Sequence, residues 1–489
     1  MMDIRQKVVK GVVWSVIQHW GSQTISFAVF SLLARLLKPE EFGLVALASV
    51  FIALMEIFLD QGLSQAIVQR QQLEPEHLDS AFWANLTVGI LLTICSIIFA
   101  KPIANLFNRQ QLAPILQWLS LSFLLNSFGC VQQAIFHREL AFKFVAARSL
   151  LATLGAGTIG ITMAVAGFGV WSLVGQKLVG ALVGAVVLWS ASGWRPRFCI
   201  SVKHFQELFA FGINAIGLNA INFFNRRTDD FLIGYFLGPV ALGYYTIAYR
   251  VLLVMTQLLI TVTNQVALPT FSKLQAEPER LQRAFYTVTQ LTSLVAFPTF
   301  IGMAVLAPEV VQILFGSQWR SSIPIMQVLA FVGILHSMFN FNSTVMMAKG
   351  KPAWKLGVNC LTAVVNILGF ILVTRWGVVA VALAYVIGSY LTFPISIYVV
   401  RKLIPLQPIS YLRQYAIAIA ATSVMVSAIL AAKYFLPSLL SLPASLAIYT
   451  LIGAVFYALT IFILAPKLFW HILSFMRQLI RSDREGNEI

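Results

Sequence analysis

Asn219, Asn222, Arg226 and Asp229 stand at steps of three, four and three in a largely apolar stretch, which places them on one face of a helix. Asn225, Arg227 and Asp230 widen that face. Two hundred positions earlier His19, Ser22 and Ser26, with Ser15 and Gln23 beside them, make a polar stripe in the same register. A guanidinium fork matches carboxylate or phosphate oxygens, while Asn, Ser and Gln side chains replace water around a polar cargo. A charge at mid-helix in hydrocarbon costs about 2.5–3.5 kcal/mol on insertion scales, so such residues mark an aqueous cleft or a partner.

Two readings of the charges stand side by side. Arg226 has Asp229 and Asp230 at i+3 and i+4, so the four groups Arg226, Arg227, Asp229 and Asp230 either bind cargo or neutralise one another. Arg250 has no acidic neighbour in its own stretch and is the better candidate for cargo or a cross-helix partner. Glu56 and Asp60, at i and i+4, either take H+ or Na+ or pair with an arginine elsewhere. Lys177 lies about a turn and a half from a predicted span end, where a snorkelling lysine is the commoner case.

The elements that carry these residues follow from hydropathy. A span needs roughly 20 apolar residues. Such stretches fall near 11–37, 42–66, 81–106, 112–136, 144–166, 170–192, 207–236, 240–268, 284–306, 322–347, 354–374, 378–400, 412–435 and 444–465. The spacing therefore predicts an all-α polytopic membrane protein with fourteen transmembrane helices. Of the 34 Lys and Arg, four lie inside spans (Lys177, Arg226, Arg227, Arg250), 23 fall on the side of the N-terminus and 7 on the other. That bias puts both termini in the cytoplasm.

An internal echo divides the chain. Leu37-Lys38-Pro39-Glu40-Glu41-Phe42-Gly43 returns as Leu237-Gly238-Pro239-Val240-Ala241-Leu242-Gly243, and Gly169-Val170 and Gly180 return as Gly377-Val378 and Gly388. Six spans per half is even, so the halves are parallel repeats flanking a central cleft. The expected parts are an N-lobe, 1–203, a C-lobe, 204–405, two additional spans in 406–466, and an amphipathic cytoplasmic tail, 467–489.

Composition narrows the classes. The 489 residues are 59% hydrophobic and 11% charged, with a mean hydropathy of +0.82. The net charge of +16 comes from the loop bias, and no nucleic-acid partner is expected. The four cysteines are scattered, and the six histidines show no ligand spacing, so neither a disulfide framework nor a metal site is expected. No phosphate-binding GxxxxGK[ST] loop is present, and no loop exceeds about two dozen residues. The chain reads as a transporter and not an enzyme, without a cofactor beyond H+ or Na+ coupling.

Gly62-Leu63-Ser64-Gln65-Ala66-Ile67-Val68-Gln69-Arg70 with Phe82-Trp83-Ala84-Asn85 resembles the polysaccharide exporters of the Wzx/colanic-acid type. So do Asp230-Phe231-Leu232-Ile233-Gly234, Leu242-Gly243-Tyr244-Tyr245, Ala248-Tyr249-Arg250, and Phe315-Gly316 before Trp319. These exporters belong to the multidrug/oligosaccharidyl-lipid/polysaccharide (MOP) superfamily, and the resemblance covers about residues 5–405. It implies two six-helix lobes around a cationic cavity, and flipping of undecaprenyl-diphosphate-linked oligosaccharide across a bacterial inner membrane. It implies cargo-binding roles for Arg226, Arg227 and Arg250, with Asp229 and Asp230 as neighbours. Expected partners are the lipid-linked anionic oligosaccharide, membrane lipids and other polysaccharide-assembly proteins. A MATE-like drug or cation antiporter would favour an acidic cavity; a membrane glycan polymerase or glycosyltransferase would need an acidic pair in a large external loop.

Overall fold

A computed structural model of the chain describes the backbone of residues 4–59, 61–436, 441–466 and 470. It describes the side chains of these residues except 4–13, 16–17, 210–216, 218, 221–222, 225 and 260–266. No strand occurs among them. The helices are α1 (Ile4–Leu36), α2 (Pro39–Glu56), α3 (Leu63–Gln69), α4 (Pro75–Leu106), α5 (Leu112–Arg138), α6 (Phe142–Val165), α7 (Val170–Ala191), α8 (Val202–Phe236) and α9 (Gly238–Lys273). They continue as α10 (Pro278–Val305), α11 (Ala307–Leu314), α12 (Ser322–Ala348), α13 (Pro352–Val373), α14 (Val378–Arg401), α15 (Pro408–Arg413), α16 (Ala416–Phe435) and α17 (Leu442–Leu464). A helix lies at every expected span. Among the described residues, eleven helical segments are long and apolar enough to cross a membrane.

One element departs from the hydropathy pattern. The second span, expected to run through 42–66, is helical only to Glu56 and resumes as α3 at Leu63. Gln61 (φ 52°) and Gly62 (φ 73°) adopt the left-handed conformation that ends a helix, and hydropathy cannot register it. At its other end α2 starts as its residues dictate. Pro39 fits the first turn, and the Glu41 carboxylate accepts the Lys38 amide N–H at 2.6 Å.

Packing separates two compact units. The first holds residues 1–247, 314–318 and 370–381; the second holds 248–313, 319–369 and 382–489. In the first unit α6 packs along α7 and α1, and α4 along α5. Small residues allow the approach: a Cβ on Gly157 of α6 would meet Val29 of α1 at 2.5 Å. The segment Leu314–Gln318 seals the end of α1. The Leu314 carbonyl accepts Ser31 Oγ (2.6 Å) and Arg35 Nε (3.2 Å), and the Gln318 amide donates to the Ala34 and Leu37 carbonyls. At the opposite end of α1 in this unit, the strap between α7 and α8 is fastened to α4. Arg197 N–H donates to Asp79 (3.0 Å), Ser201 N–H to Ser80 Oγ (2.9 Å), and Trp83 Nε1 to the Arg197 carbonyl (2.8 Å).

The second unit is built on an aromatic core in which Phe271, Phe285, Phe341, Tyr411 and Tyr415 are buried together. The last two long helices belong to it. Ala418 and Ala421 of α16 and Ile461 of α17 pack on Leu294 of α10, and Tyr457 Oη donates to the Leu294 carbonyl at 2.6 Å.

Candidate functional site

A polar cavity of about 360 Å³ opens inside the first unit. Its charged lining is Glu56 of α2, Arg148 of α6, Lys177 of α7 and Arg227 of α8, with Ser49, Ser122 and Asn126 between them. Helix geometry places these groups in two tiers. Counted from the end of the unit that carries the Leu37–Gly43 and Leu237–Gly243 turns, at 1.5 Å per residue, Lys177, Arg227 and Ser49 stand about 10–15 Å in. Glu56 and Arg148 stand about 25 Å in, on the same count. Three cations and one carboxylate thus line one cavity at two depths, an arrangement suited to an extended anion.

Lys177 corrects the sequence reading. Its side chain does not snorkel to a helix end; Nζ donates to Ser49 Oγ across the cavity. Arg148, grouped by the charge count with loop cations, lies six residues inside α6. Its Nη1 donates to Gln133 Oε1 at 2.7 Å. Gly184 of α7 makes room for it, since a Cβ there would stand 3.3 Å from Arg148 Nε. No single-helix pattern flags Arg148, because its cavity neighbours come from four other helices. Glu56 is the last residue of α2, where the helix dipole disfavours a carboxylate, so the cations beside it matter for its placement.

The acidic pair of α8 is used locally. Arg227, not Arg226, makes the intrahelical ion pair: Nη1 lies 2.9 Å from Asp230 Oδ2. Asp229 accepts the Tyr245 hydroxyl of α9 at 2.6 Å and the Asp230 N–H at 2.9 Å. Both carboxylates are buried. Arg227 still lines the cavity, whereas Arg226, about 100° further round the helix, is exposed and does not. Asn219 is exposed and also outside the lining. Arg250 is half-buried and belongs to the second unit.

On α1, Ser22 Oγ meets Ser149 Oγ of α6 at 2.9 Å, so it joins two helices. His19 is exposed, and Gln23 and Ser26 are half-buried. None of the four lines this cavity. Asp60 and the side chains of Asn222 and Asn225 lie outside the described residues. The second unit has its own groove of about 700 Å³, walled by Phe297, Phe331, Tyr390, Leu412 and Ile419 among others. No charged residue lines it, so it lacks the chemistry to hold an anion.

Comparison with known proteins places this cavity in context. A family model described as polysaccharide biosynthesis protein matches residues 32–324. Succinoglycan biosynthesis transport protein ExoT of Rhizobium meliloti is 32% identical over 66% of this chain, a match that spans 65% of ExoT. Lipopolysaccharide biosynthesis protein WzxC of Escherichia coli is 27% identical over 92% of this chain and 88% of its own length. Among solved structures, the lipid II flippase MurJ in an inward closed conformation superposes with a TM-score of 0.77 at 17% identity, covering 94% of this chain and 99% of MurJ. An inward-facing MATE-family transporter of the MOP superfamily gives 0.62 at 16% identity, covering 78% and 95%. These two share the fold. The resemblance to Wzx-type exporters is borne out: with the family model matching well over half its length, the chain belongs to the polysaccharide biosynthesis protein family.

Proposed function

We propose that the chain is a flippase that carries a polyprenyl-diphosphate-linked oligosaccharide from the cytoplasmic to the outer leaflet of a bacterial inner membrane. In this proposal it has fourteen spans with both termini in the cytoplasm, and it works by alternating access. The observation that carries the reading is the two-tiered cavity lined by Lys177, Arg227, Arg148 and Glu56. An unpartnered charge in hydrocarbon costs several kcal/mol, and each charge-assisted hydrogen bond returns about 1.5–3 kcal/mol. Three cations at two depths can therefore hold a diphosphate and hand it along. Ser49, Ser122 and Asn126 replace water at the sugar hydroxyls, and the isoprenoid tail stays in hydrocarbon. The relatives named for succinoglycan transport and lipopolysaccharide biosynthesis act in glycan assembly, which supports the cargo class. Outside this cavity, Arg226 and Arg250 are proposed as further cargo contacts elsewhere on the transport path, with His19, Ser22, Gln23, Ser26, Asn219, Asn222 and Asn225 as the polar lining of that path. Glu56, Asp60, Asp229 and Asp230 are retained for ion coupling or charge pairing.

The test is a deletion strain in which lipid-linked repeat units are quantified on each leaflet. Loss of the chain should strand them on the inner leaflet and remove surface polysaccharide; the wild-type chain should restore both, and Lys177→Ala with Arg227→Ala should not. Normal surface polysaccharide and leaflet distribution in the deletion strain would overturn the proposal.

A further inference from the structure

The strap between α7 and α8, residues 192–201, closes the first unit at the end that the charge count assigns to the cytoplasm. Helix α7 is long and apolar enough to cross a membrane and stops at Ala191, so the strap begins where hydrocarbon gives way to headgroups. Its exposed side chains are the wrong ones for a connection in water. Phe198 is 93% exposed, Ile200 72%, and Val202, the first residue of α8, 65%. Arg197 and Lys203 flank them, and both are exposed. We infer that the strap binds anionic phospholipid of the adjacent leaflet, with Arg197 and Lys203 on the headgroup and Phe198, Ile200 and Val202 among the upper acyl carbons.

Backbone bonds hold the strap in the posture this needs. The Arg197 and Ser201 N–H groups are tied to Asp79 and Ser80 of α4. Ser201 is extended (φ −112°, ψ 112°), so Ile200 and Val202 on either side of it project together, away from the Ser201 side chain. Phe198 stacks on Trp83 of α4, with ring centroids 4.8 Å apart and planes at 26°, and Trp83 Nε1 donates to the Arg197 carbonyl. Tryptophan is enriched at the membrane–water boundary, where its ring is apolar and its N–H is satisfied. Exposed apolar side chains rimmed by polar ones mark an interaction surface. Apolar insertion beside basic residues is how a segment holds an anionic interface.

The charges select the occupant. Residues 192–203 contain three cations and no acid. Arg195 is turned inward: it donates to the Trp189, Ser192 and Trp194 carbonyls and lies over the Trp189 ring, closing the end of α7. Arg197 and Lys203 enter no ion pair among the described residues. The acids at the start of α4 and α8 are engaged elsewhere. Glu207 meets Arg70 and His77, Glu74 meets His204, Asp79 takes the Arg197 N–H, and Glu76 sits in the first turn of α4, where the helix N-terminus offsets it. The strap therefore presents two uncommitted cations to its surroundings, which suits an anionic headgroup better than a zwitterionic one. An acidic protein would answer the charge alone. A leaflet answers both the charge and the apolar row, and α7 already sets the strap at that level.

The experiment reads the lipid beside the strap. The full chain carrying Cys95→Ser, Cys130→Ser and Cys360→Ser is labelled with a fluorophore on Cys199, which is exposed between Phe198 and Ile200. It is reconstituted in vesicles of phosphatidylcholine and phosphatidylglycerol in which one lipid or the other has brominated, quenching acyl chains. Each basic side chain near an anionic surface contributes about a fivefold preference. Phosphatidylglycerol should therefore be favoured at Cys199 by roughly tenfold or more, and high salt should weaken the preference. The same fluorophore on the exposed Cys95 of α4, in a chain with the other cysteines replaced, should show none. Arg197→Gln with Lys203→Gln, at exposed positions with no ion partner to lose, should bring the ratio close to one. Phe198→Ser with Ile200→Ser should reduce quenching by both lipids alike. Absence of quenching by either lipid, equal quenching by the two, or a preference unchanged by salt and by the Arg197 and Lys203 changes overturns the assignment, whether or not the transport reading stands.

Discussion

Gly43 and Gly243 stand in reciprocal contact with each other's turn. A Cβ on Gly43 would lie 1.7 Å from the Pro239 carbonyl oxygen, and one on Gly243 would lie 2.0 Å from the Pro39 carbonyl oxygen. The heptapeptides that echo each other in sequence therefore meet in space as near-symmetric mates. Backbone against backbone leaves no side chain to yield. Gly43→Ala or Gly243→Ala should each destabilise by about 1–3 kcal/mol, the usual cost of overpacking. Because both press on one junction, the double variant should cost clearly less than the sum of the singles. Thermal unfolding of the four proteins measures this; additive losses would mean that the two contacts are independent.

Lys177 reaches across the cavity to Ser49 from the tier that also holds Arg227. Removing one charge-assisted contact forfeits about 1.5–3 kcal/mol, or roughly 10–100-fold in cargo affinity. Lys177→Met should therefore cut lipid-linked glycan export by at least tenfold, with Lys177→Arg recovering part of it. Lys101→Met, an exposed change on α4 outside the cavity, is the control and should export normally. Equal export by Lys177→Met and the control would remove Lys177 from the site.

How far the sequence carries depends on whether the signal is local. Apolar runs and proline or glycine stops locate the helices, since each needs only its own residues. The duplicated turn is visible because both copies keep Pro and Gly at the same spacing, and the structure supplies the reason in the Gly43 and Gly243 contacts. The polar stripe on α8 is also local, and it found Arg227, Asp229 and Asp230. It could not tell Arg226 from Arg227, because one residue of rotation decides which guanidinium reaches Asp230. The cavity roles of Arg148 and Lys177 escape for a different reason. Their partners come from other helices, and no spacing within one helix encodes them.

Tyr245 offers a test of the buried carboxylate beside the cavity. Its hydroxyl, on a fully buried side chain, donates to Asp229 at 2.6 Å. Tyr245→Phe removes the donor and leaves one carboxylate oxygen short of a partner, which should cost about 1.5–3 kcal/mol. Adding Asp229→Asn removes the charge that suffers, so the double variant should regain stability relative to Tyr245→Phe alone. Melting curves in detergent distinguish the two; a Tyr245→Phe protein as stable as wild type would show that the hydroxyl contributes nothing there.

Arg148 separates a cargo role from a structural one. Its Nη1 is satisfied by Gln133, but the buried Nε has no hydrogen-bond partner among the described residues. A buried donor left unmatched lowers stability by about 1–3 kcal/mol, and such groups are kept where function needs them. Arg148→Met should therefore leave the melting temperature unchanged or raise it while reducing export by tenfold or more. Gly184→Val, which fills the space beside Nε, should displace the guanidinium and reduce export in the same direction. Arg148→Lys keeps the charge without the planar fork and should fall between. A parallel fall of melting temperature and export in Arg148→Met would make the residue a packing element, because a group that only holds helices together cannot lose function while the fold gains stability.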